Sequence, residues 1–280
     1  MSRYIDSLPT PAHVEPKKLI VLSAPRTGTH GLYNALKLLG FKPYHMAEVA
    51  KGGPLSVKTM NEGIRGEMGL SKPYSRKDFD KWFADYDIII EMPFFMLQST
   101  LNAYPEARFL LVERKPEKWA KSFENTVGQM QPLLNQFPGN LIKCFDSMAY
   151  HMGYFGDVIT NRCTKFEGMT EQGKKNLEET YKEYINMVKR MVPPNRLKVM
   201  SLEDGFGWEE ICPVMGVPVP KNLDWPGRNT PEEFHQMRGP MYRRGVQKTI
   251  IGFTTILGSI IAAGVMYRRL GGKLPKLSWV

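Results

Sequence analysis

At 280 residues with an ordinary apolar share of 42%, the chain is long enough to bury a core without covalent staples. Its three scattered cysteines, Cys144, Cys163 and Cys212, form no Cys-x-x-Cys pair, which argues against a disulfide framework or a zinc site and fits a reducing compartment. The net charge of +10 sits at one end: from Gln236 onward there are eight basic residues and no acidic ones, while the remainder carries 30 basic against 28 acidic, which leaves no support for nucleic acid as a partner.

Residues 1–16 hold Pro9, Pro11 and Pro16 but no apolar run, so they read as an N-terminal extension and not as a secretory signal. Leu19-Ile20-Val21-Leu22 is a short buried strand, followed by a glycine turn and a helix over Gly31–Leu39 that stops at Gly40. Ile88–Ile90 is a second strand, with a helical stretch from Phe95 to Ala103 behind it. Arg108–Val112 makes a third strand, and Pro116 opens a helix through about Thr126. A long helix over Lys174–Met191 ends at Pro193-Pro194, and Leu197–Met200 is a fourth strand. Strands separated by helices imply right-handed crossovers, hence an α/β fold with a mostly parallel central sheet flanked by helices. Gly128–Gly173 is expected to add helices that form a lid or acceptor wall. Phe94, Phe95, Met96, Met130 and Phe137 are candidates for an apolar lining, and Trp119 and Trp208 for packing.

The globular domain is expected over 17–235, a basic linker over 236–249, and a membrane-spanning helix over 250–267. Ile250–Tyr267 has no charged residue, and its eighteen residues span about 27 Å as a helix, close to the ~30 Å hydrocarbon core of a bilayer. Arg243, Arg244 and Lys248 precede the stretch and Arg268 and Arg269 follow it, placed to snorkel to either interface, where Tyr267 and Trp279 also belong. The basic tail, 268–280, is short, which favours insertion after synthesis with the domain in the cytosol, on the endoplasmic reticulum or the mitochondrial outer surface. Gly258, Ser259, Ala262 and Ala263 put small residues on one helix face suited to a homodimer.

The first strand runs into Ser23-Ala24-Pro25-Arg26-Thr27-Gly28-Thr29-His30. A strand, a glycine turn and a helix N-terminus make an anion site, because unpaired N–H groups and the helix dipole converge there. The loop lacks the Gly-Lys pair of a Walker A loop, and the chain has no Gly-x-Gly-x-x-Gly. Arg26 and the two threonine hydroxyls are donors beside the same glycine.

Pro25-Arg26-Thr27-Gly28-Thr29 resembles the phosphosulfate loop of sulfotransferases that use 3'-phosphoadenosine 5'-phosphosulfate (PAPS). Leu111 to Phe123 looks like the same family's 3'-phosphate strand and helix. Tyr44 to Val49 and Gly207 to Pro220 resemble a branch common in fungi and invertebrates. The resemblance runs from about Lys17 to Phe234 and implies a phosphate-loop-like fold. It implies that Arg26, Thr27, Gly28, Thr29 and His30 hold the 5' side of PAPS and that Arg114 and Ser122 hold its 3'-phosphate. Arg26 would stabilise the leaving group without acting as an acid, since a guanidinium does not readily give up a proton. Glu91, which follows the second strand, is the first candidate for the base that activates an acceptor hydroxyl, where relatives commonly carry Asp; His45 and His30 compete with it. No carboxylate cluster suggests a metal. The implied reaction moves a sulfonyl group onto a hydroxyl or amine of a small, apolar molecule such as a secondary metabolite. A nucleotide kinase or NTPase, and a non-catalytic membrane-tethered nucleotide-binding protein, are the alternatives.

Overall fold

The computed structural model describes residues 3–227 and 231–272. Lys273, Lys276, Trp279 and most of the basic tail lie outside the described residues. The chain begins with β1 (Leu19–Val21), α1 (Thr29–Leu38), β2 (Pro43–Tyr44), α2 (Met46–Lys51), α3 (Gly53–Glu67) and α4 (Arg76–Trp82). It continues through β3 (Ile88–Ile90), α5 (Met92–Phe95), α6 (Leu97–Ala103), β4 (Phe109–Glu113) and α7 (Pro116–Glu124). The rest comprises α8 (Met130–Asn135), α9 (Gly139–Phe145), α10 (Ser147–Cys163), α11 (Glu171–Met191), β5 (Leu197–Ser201), α12 (Trp208–Met215) and α13 (Pro231–Arg269).

The five strands form one sheet in the order β2-β3-β1-β4-β5, and every pairing is parallel. Parallel strands covered by helices on both faces need apolar side chains on both faces, and Leu19–Val21 and Ile88–Ile90 are buried at every position. The alternation of side chains divides the core. Ile20, Leu22, Ile89, Phe109 and Leu111 enter a large cluster on one face. Leu19, Val21, Ile88, Ile90, Leu110 and Val112 enter a smaller one on the other. All carboxyl ends of the strands therefore meet at one edge, with β1 central, where the crossovers to β2 and to β4 part company. That divergence opens the crevice in which ligands of such sheets bind.

Four expected strands are present within a residue of their expected limits. β2 has two residues, too few to show a period in the sequence. The helix expected over 95–103 is broken at Met96, whose backbone turns out of the helix at φ −138°, into α5 and α6. Gly128–Gly173 is helical as expected, through α8, α9 and α10. The N-terminal extension is docked on the domain: Ile5 is fully buried, Arg3 bonds Asp78 at 2.8 Å, and the N–H groups of Tyr4 and Ile5 donate to Glu62. Residues 236–249, expected as a linker, are the first turns of α13, which is continuous into the apolar stretch.

Candidate active site

Five strand ends deliver the site. Arg26 and Gly28 follow β1, His45 follows β2, Glu91 follows β3, Arg114 follows β4 and Leu202 follows β5, and all six line one cavity of about 890 Å³. The connection after β1 is held from three sides. The Ser23 hydroxyl accepts from the Val112 N–H at 2.7 Å, the Trp119 indole donates to the Pro25 carbonyl at 2.8 Å, and Tyr184 donates to the Leu22 carbonyl. Trp119 stacks on Tyr181 with centroids 4.6 Å apart, and the Tyr181 hydroxyl accepts from the Arg114 N–H at 2.9 Å. Trp119→Phe leaves a buried carbonyl without its donor. It is expected to cost about 1–3 kcal/mol of stability, read by urea denaturation.

The loop backbone is forced. Arg26 sits at φ 71° and Gly28 at φ 86°, in the left-handed region that ordinary residues avoid. A Cβ at Gly28 would also lie 2.9 Å from Leu202 Cδ1, so a larger residue there would strain the backbone and displace that side chain. Thr29, His30 and Gly31, the first residues of α1, line the cavity, where the positive end of the helix dipole favours an anion.

Both threonine hydroxyls, expected as donors to an anion, have partners within the protein in this structure. Thr27 donates to the Ala24 carbonyl at 2.7 Å, and Thr29 donates to Glu91. Both bonds tie the loop to itself and to its neighbour, and Arg26, Gly28 and Thr29 line the cavity. Arg26 Nε donates to Ser122 Oγ at 3.2 Å, and Arg114 Nη1 donates to the Arg26 carbonyl at 2.7 Å. Burial lowers the Arg26 guanidinium, and so does the nearby Arg114 charge, while Glu91 opposes both. Arg26, Arg114 and Ser122, three of the seven residues expected to hold the nucleotide, are thus one connected cluster.

Glu91 is itself in the left-handed region, at φ 68°, and is 6% exposed. Its Oε2 lies 3.1 Å from His45 Nε2, with the N–H off the hydrogen-bond axis, while His45 Nδ1 accepts from the Ala47 N–H at 3.1 Å. That bond assigns the His45 proton to Nε2, so the protonated ring nitrogen is the one beside Glu91. Burial raises the Glu91 carboxyl, but His45, the Thr29 hydroxyl and the Arg26 charge outweigh it, and the net shift is downward. Glu91 is therefore an ionised carboxylate in the cavity wall. His30 lies beside this pair, its ring 5.5 Å from that of His45, and also lines the cavity.

The cavity has two chemically distinct regions. Lys118, Lys121, Ser122 and Asn125 of α7 and its end line it together with Arg26 and Arg114. Phe95, Met130, Met148, Met152, Phe155 and Ile159 supply apolar lining. Sequence reasoning missed Lys118, Lys121 and Asn125, although with Ser122 their i, i+3, i+4, i+7 spacing marks one helix face. The α10 residues Met148, Met152, Phe155 and Ile159 carry the same kind of signal. Of the expected apolar candidates, Phe95 and Met130 line the cavity, Phe94 and Met96 are buried outside it, and Phe137 is 80% exposed. Trp119 and Trp208 are buried packing residues. No group of three or more metal-ligating side chains occurs among the described residues.

A parallel α/β sheet with a glycine turn and a helix N-terminus after its central strand, opening on a cationic and apolar cavity, is a protein of phosphate-loop-like build. The chain belongs to the sulfotransferase family, whose sulfotransferase domain matches residues 18–234. It is 30% identical over 208 residues to the "Ava biosynthesis cluster protein M" of Aspergillus versicolor, across 73% of this chain and 78% of that protein. It also aligns with the crystal structure of a sulfotransferase from Alicyclobacillus acidocaldarius, over 84% of this chain and 95% of that one, at 14% identity and a TM-score of 0.41.

Proposed function

We propose that the protein transfers the sulfonyl group of PAPS to a hydroxyl or amine of a small apolar molecule at a membrane surface. The observation that carries this reading is one cavity joining a six-residue polar and cationic cluster to a Met- and Phe-rich lining, with an ionised carboxylate in its wall. The helix N-terminus and Arg26 suit the 5'-phosphosulfate, and Arg114, Ser122, Lys118 and Lys121 suit the second phosphate that distinguishes PAPS from ATP. The acceptor oxygen attacks sulfur in line, a new S–O bond forms, and the bond from sulfur to the bridging oxygen of the nucleotide breaks. The acceptor proton passes to Glu91, and the negative charge on the leaving phosphate is met by Arg26. His45 orients Glu91.

A biosynthetic small molecule is the acceptor class, in keeping with the A. versicolor relative's description. Gly239–Arg269 is a helix long and apolar enough to cross a membrane, and we assign it as an anchor with the domain on the cytosolic face of the endoplasmic reticulum or mitochondrial outer membrane. Thermal-shift measurements with PAPS, its desulfonated product and ATP test the donor. Saturation at about a hundred times Kd adds about 2.7 kcal/mol, so Tm should rise by about 5–10 °C with the first two ligands. Stabilisation by ATP and not PAPS would overturn the reading in favour of a kinase. Donor binding without transfer to pooled phenols, alcohols and amines would favour a binding protein.

A further inference from the structure

The apolar helix is not a separate appendage. Pro240, Met241 and Arg244 of α13 line the same cavity as Arg26 and Glu91. These turns are fastened to the domain at several points. Lys248 pairs with the buried Asp146 carboxylate at 2.8 Å, and that carboxylate also caps α10 by accepting from the Ala149 N–H. Thr249 is buried, and the rings of Phe145 and Phe253 meet at 5.1 Å. Two glycines permit the approach: a Cβ on Gly245 would lie 2.6 Å from Ile142 Cγ2, and one on Gly252 would overlap the Phe145 ring.

The contacts also set direction. From Ile142 to Phe145 on α9 the partner on α13 advances from Gly245 to Gly252, so the two helices run the same way, toward the apolar stretch. Beyond Phe253 the helix loses its cover, and Ile256, Leu257, Ile260, Ile261, Val265 and Met266 are exposed. The corner between α9 and α10 is therefore the part of the domain nearest the bilayer. Met148 and Met152, in the first turns of α10 after that corner, line the same cavity as the turns of α13. At 1.5 Å per residue, Arg244 and Met241 stand about 9 and 14 Å from the start of the charge-free run at Ile250. The headgroup layer on one side of a bilayer is about 5–8 Å deep. The apolar part of the cavity thus begins close to the headgroups.

We propose that the turn of α13 carrying Pro240, Met241 and Arg244 is the membrane-facing wall of the acceptor chamber, so that the acceptor is an amphiphile taken from the lipid leaflet. This rests on the transfer reading and adds the physical class and source of the acceptor. The test uses the full chain in phosphatidylcholine vesicles and diazirine-bearing alkylphenols of octyl and ethyl length, with cross-links mapped by peptide mass spectrometry. The octyl probe is expected to label peptides containing Met241 and the Met148–Met152 turns, in competition with unlabelled octylphenol. The ethyl probe is expected to label them about tenfold less. Met241→Arg should lower octyl labelling of the α10 peptide about tenfold, Met241→Ser about threefold and Met241→Leu little, with donor affinity by calorimetry unchanged in each. Octyl labelling confined to 250–267, or α10 labelling indifferent to both Met241→Arg and Met241→Ser, would overturn the proposal. Failure of the unsubstituted chain to bind PAPS sinks the transfer reading instead, and the labelling pattern does not depend on turnover.

Discussion

Glu91→Gln is expected to lower kcat by about 10²–10⁴-fold while the donor dissociation constant stays within about threefold. Glutamine keeps the length and the left-handed backbone of residue 91 but cannot take a proton. It still accepts from Thr29 through its amide oxygen, so the loop after β1 keeps its shape. Rapid-quench single-turnover assays at saturating donor, with calorimetry for donor affinity, separate the two quantities. Full turnover in the variant would remove Glu91 from the role of base. The pH profile supplies an independent check. Because the folded-state carboxyl is held below its usual value, the ionised form persists as pH falls through the ordinary glutamate range near ~4.3. The acid limb of kcat/KM should then lie below that range, and it should be missing from the residual activity of Glu91→Gln.

Arg26→Gly should lower turnover by about 10²–10³-fold, the size of effect seen when one preorganised donor to a developing charge is removed. Its thermal stability should move the other way or not at all. The backbone at φ 71° costs a non-glycine residue about 1–2 kcal/mol, and glycine removes that strain along with a half-buried charge. The bond to Ser122 is lost, but the Arg26 carbonyl still accepts from Arg114. A variant with wild-type turnover would show that Arg26 is not the group that meets the leaving phosphate. A large fall in Tm would show that its main role is structural. The measurement is a pair of melting curves beside steady-state assays.

The strands, the loop and Arg114 with Ser122 are legible in the sequence because each is a short local pattern. An apolar run ends in a glycine turn before a helix, or an arginine follows a strand. β2 is not legible, since two residues show no period and its pairing with β3 is non-local. Thr29 illustrates a different limit. Its hydroxyl is a plausible phosphate donor by position, and only the three-dimensional approach of β3 gives it to Glu91. His45 likewise reads as a candidate base from residue type. The Ala47 N–H, two residues on, fixes its tautomer and leaves its protonated Nε2 beside Glu91. Lys118, Lys121 and Asn125 were open to a helix-face reading, but α7 carries other charged residues, and spacing does not say which face meets the cavity. The break at Met96 has no marker in the sequence.

The fastening of α13 by Asp146–Lys248, Phe145–Phe253 and the two close-packed glycines means that the sheet domain and the apolar helix are not interchangeable parts. Severing the chain ahead of Gly239 would uncover Ile142 and Phe145 and strand the Asp146 carboxylate without its cation, whereas a break beyond Phe253 would leave that seam intact. The same fastening fixes the direction in which the apolar stretch leaves the domain, because residues 236–249 and that stretch are one continuous helix. Exchange of this helix for another hydrophobic one would have to preserve Gly245, Lys248 and Gly252, residues whose importance comes from the folded domain and not from lipid.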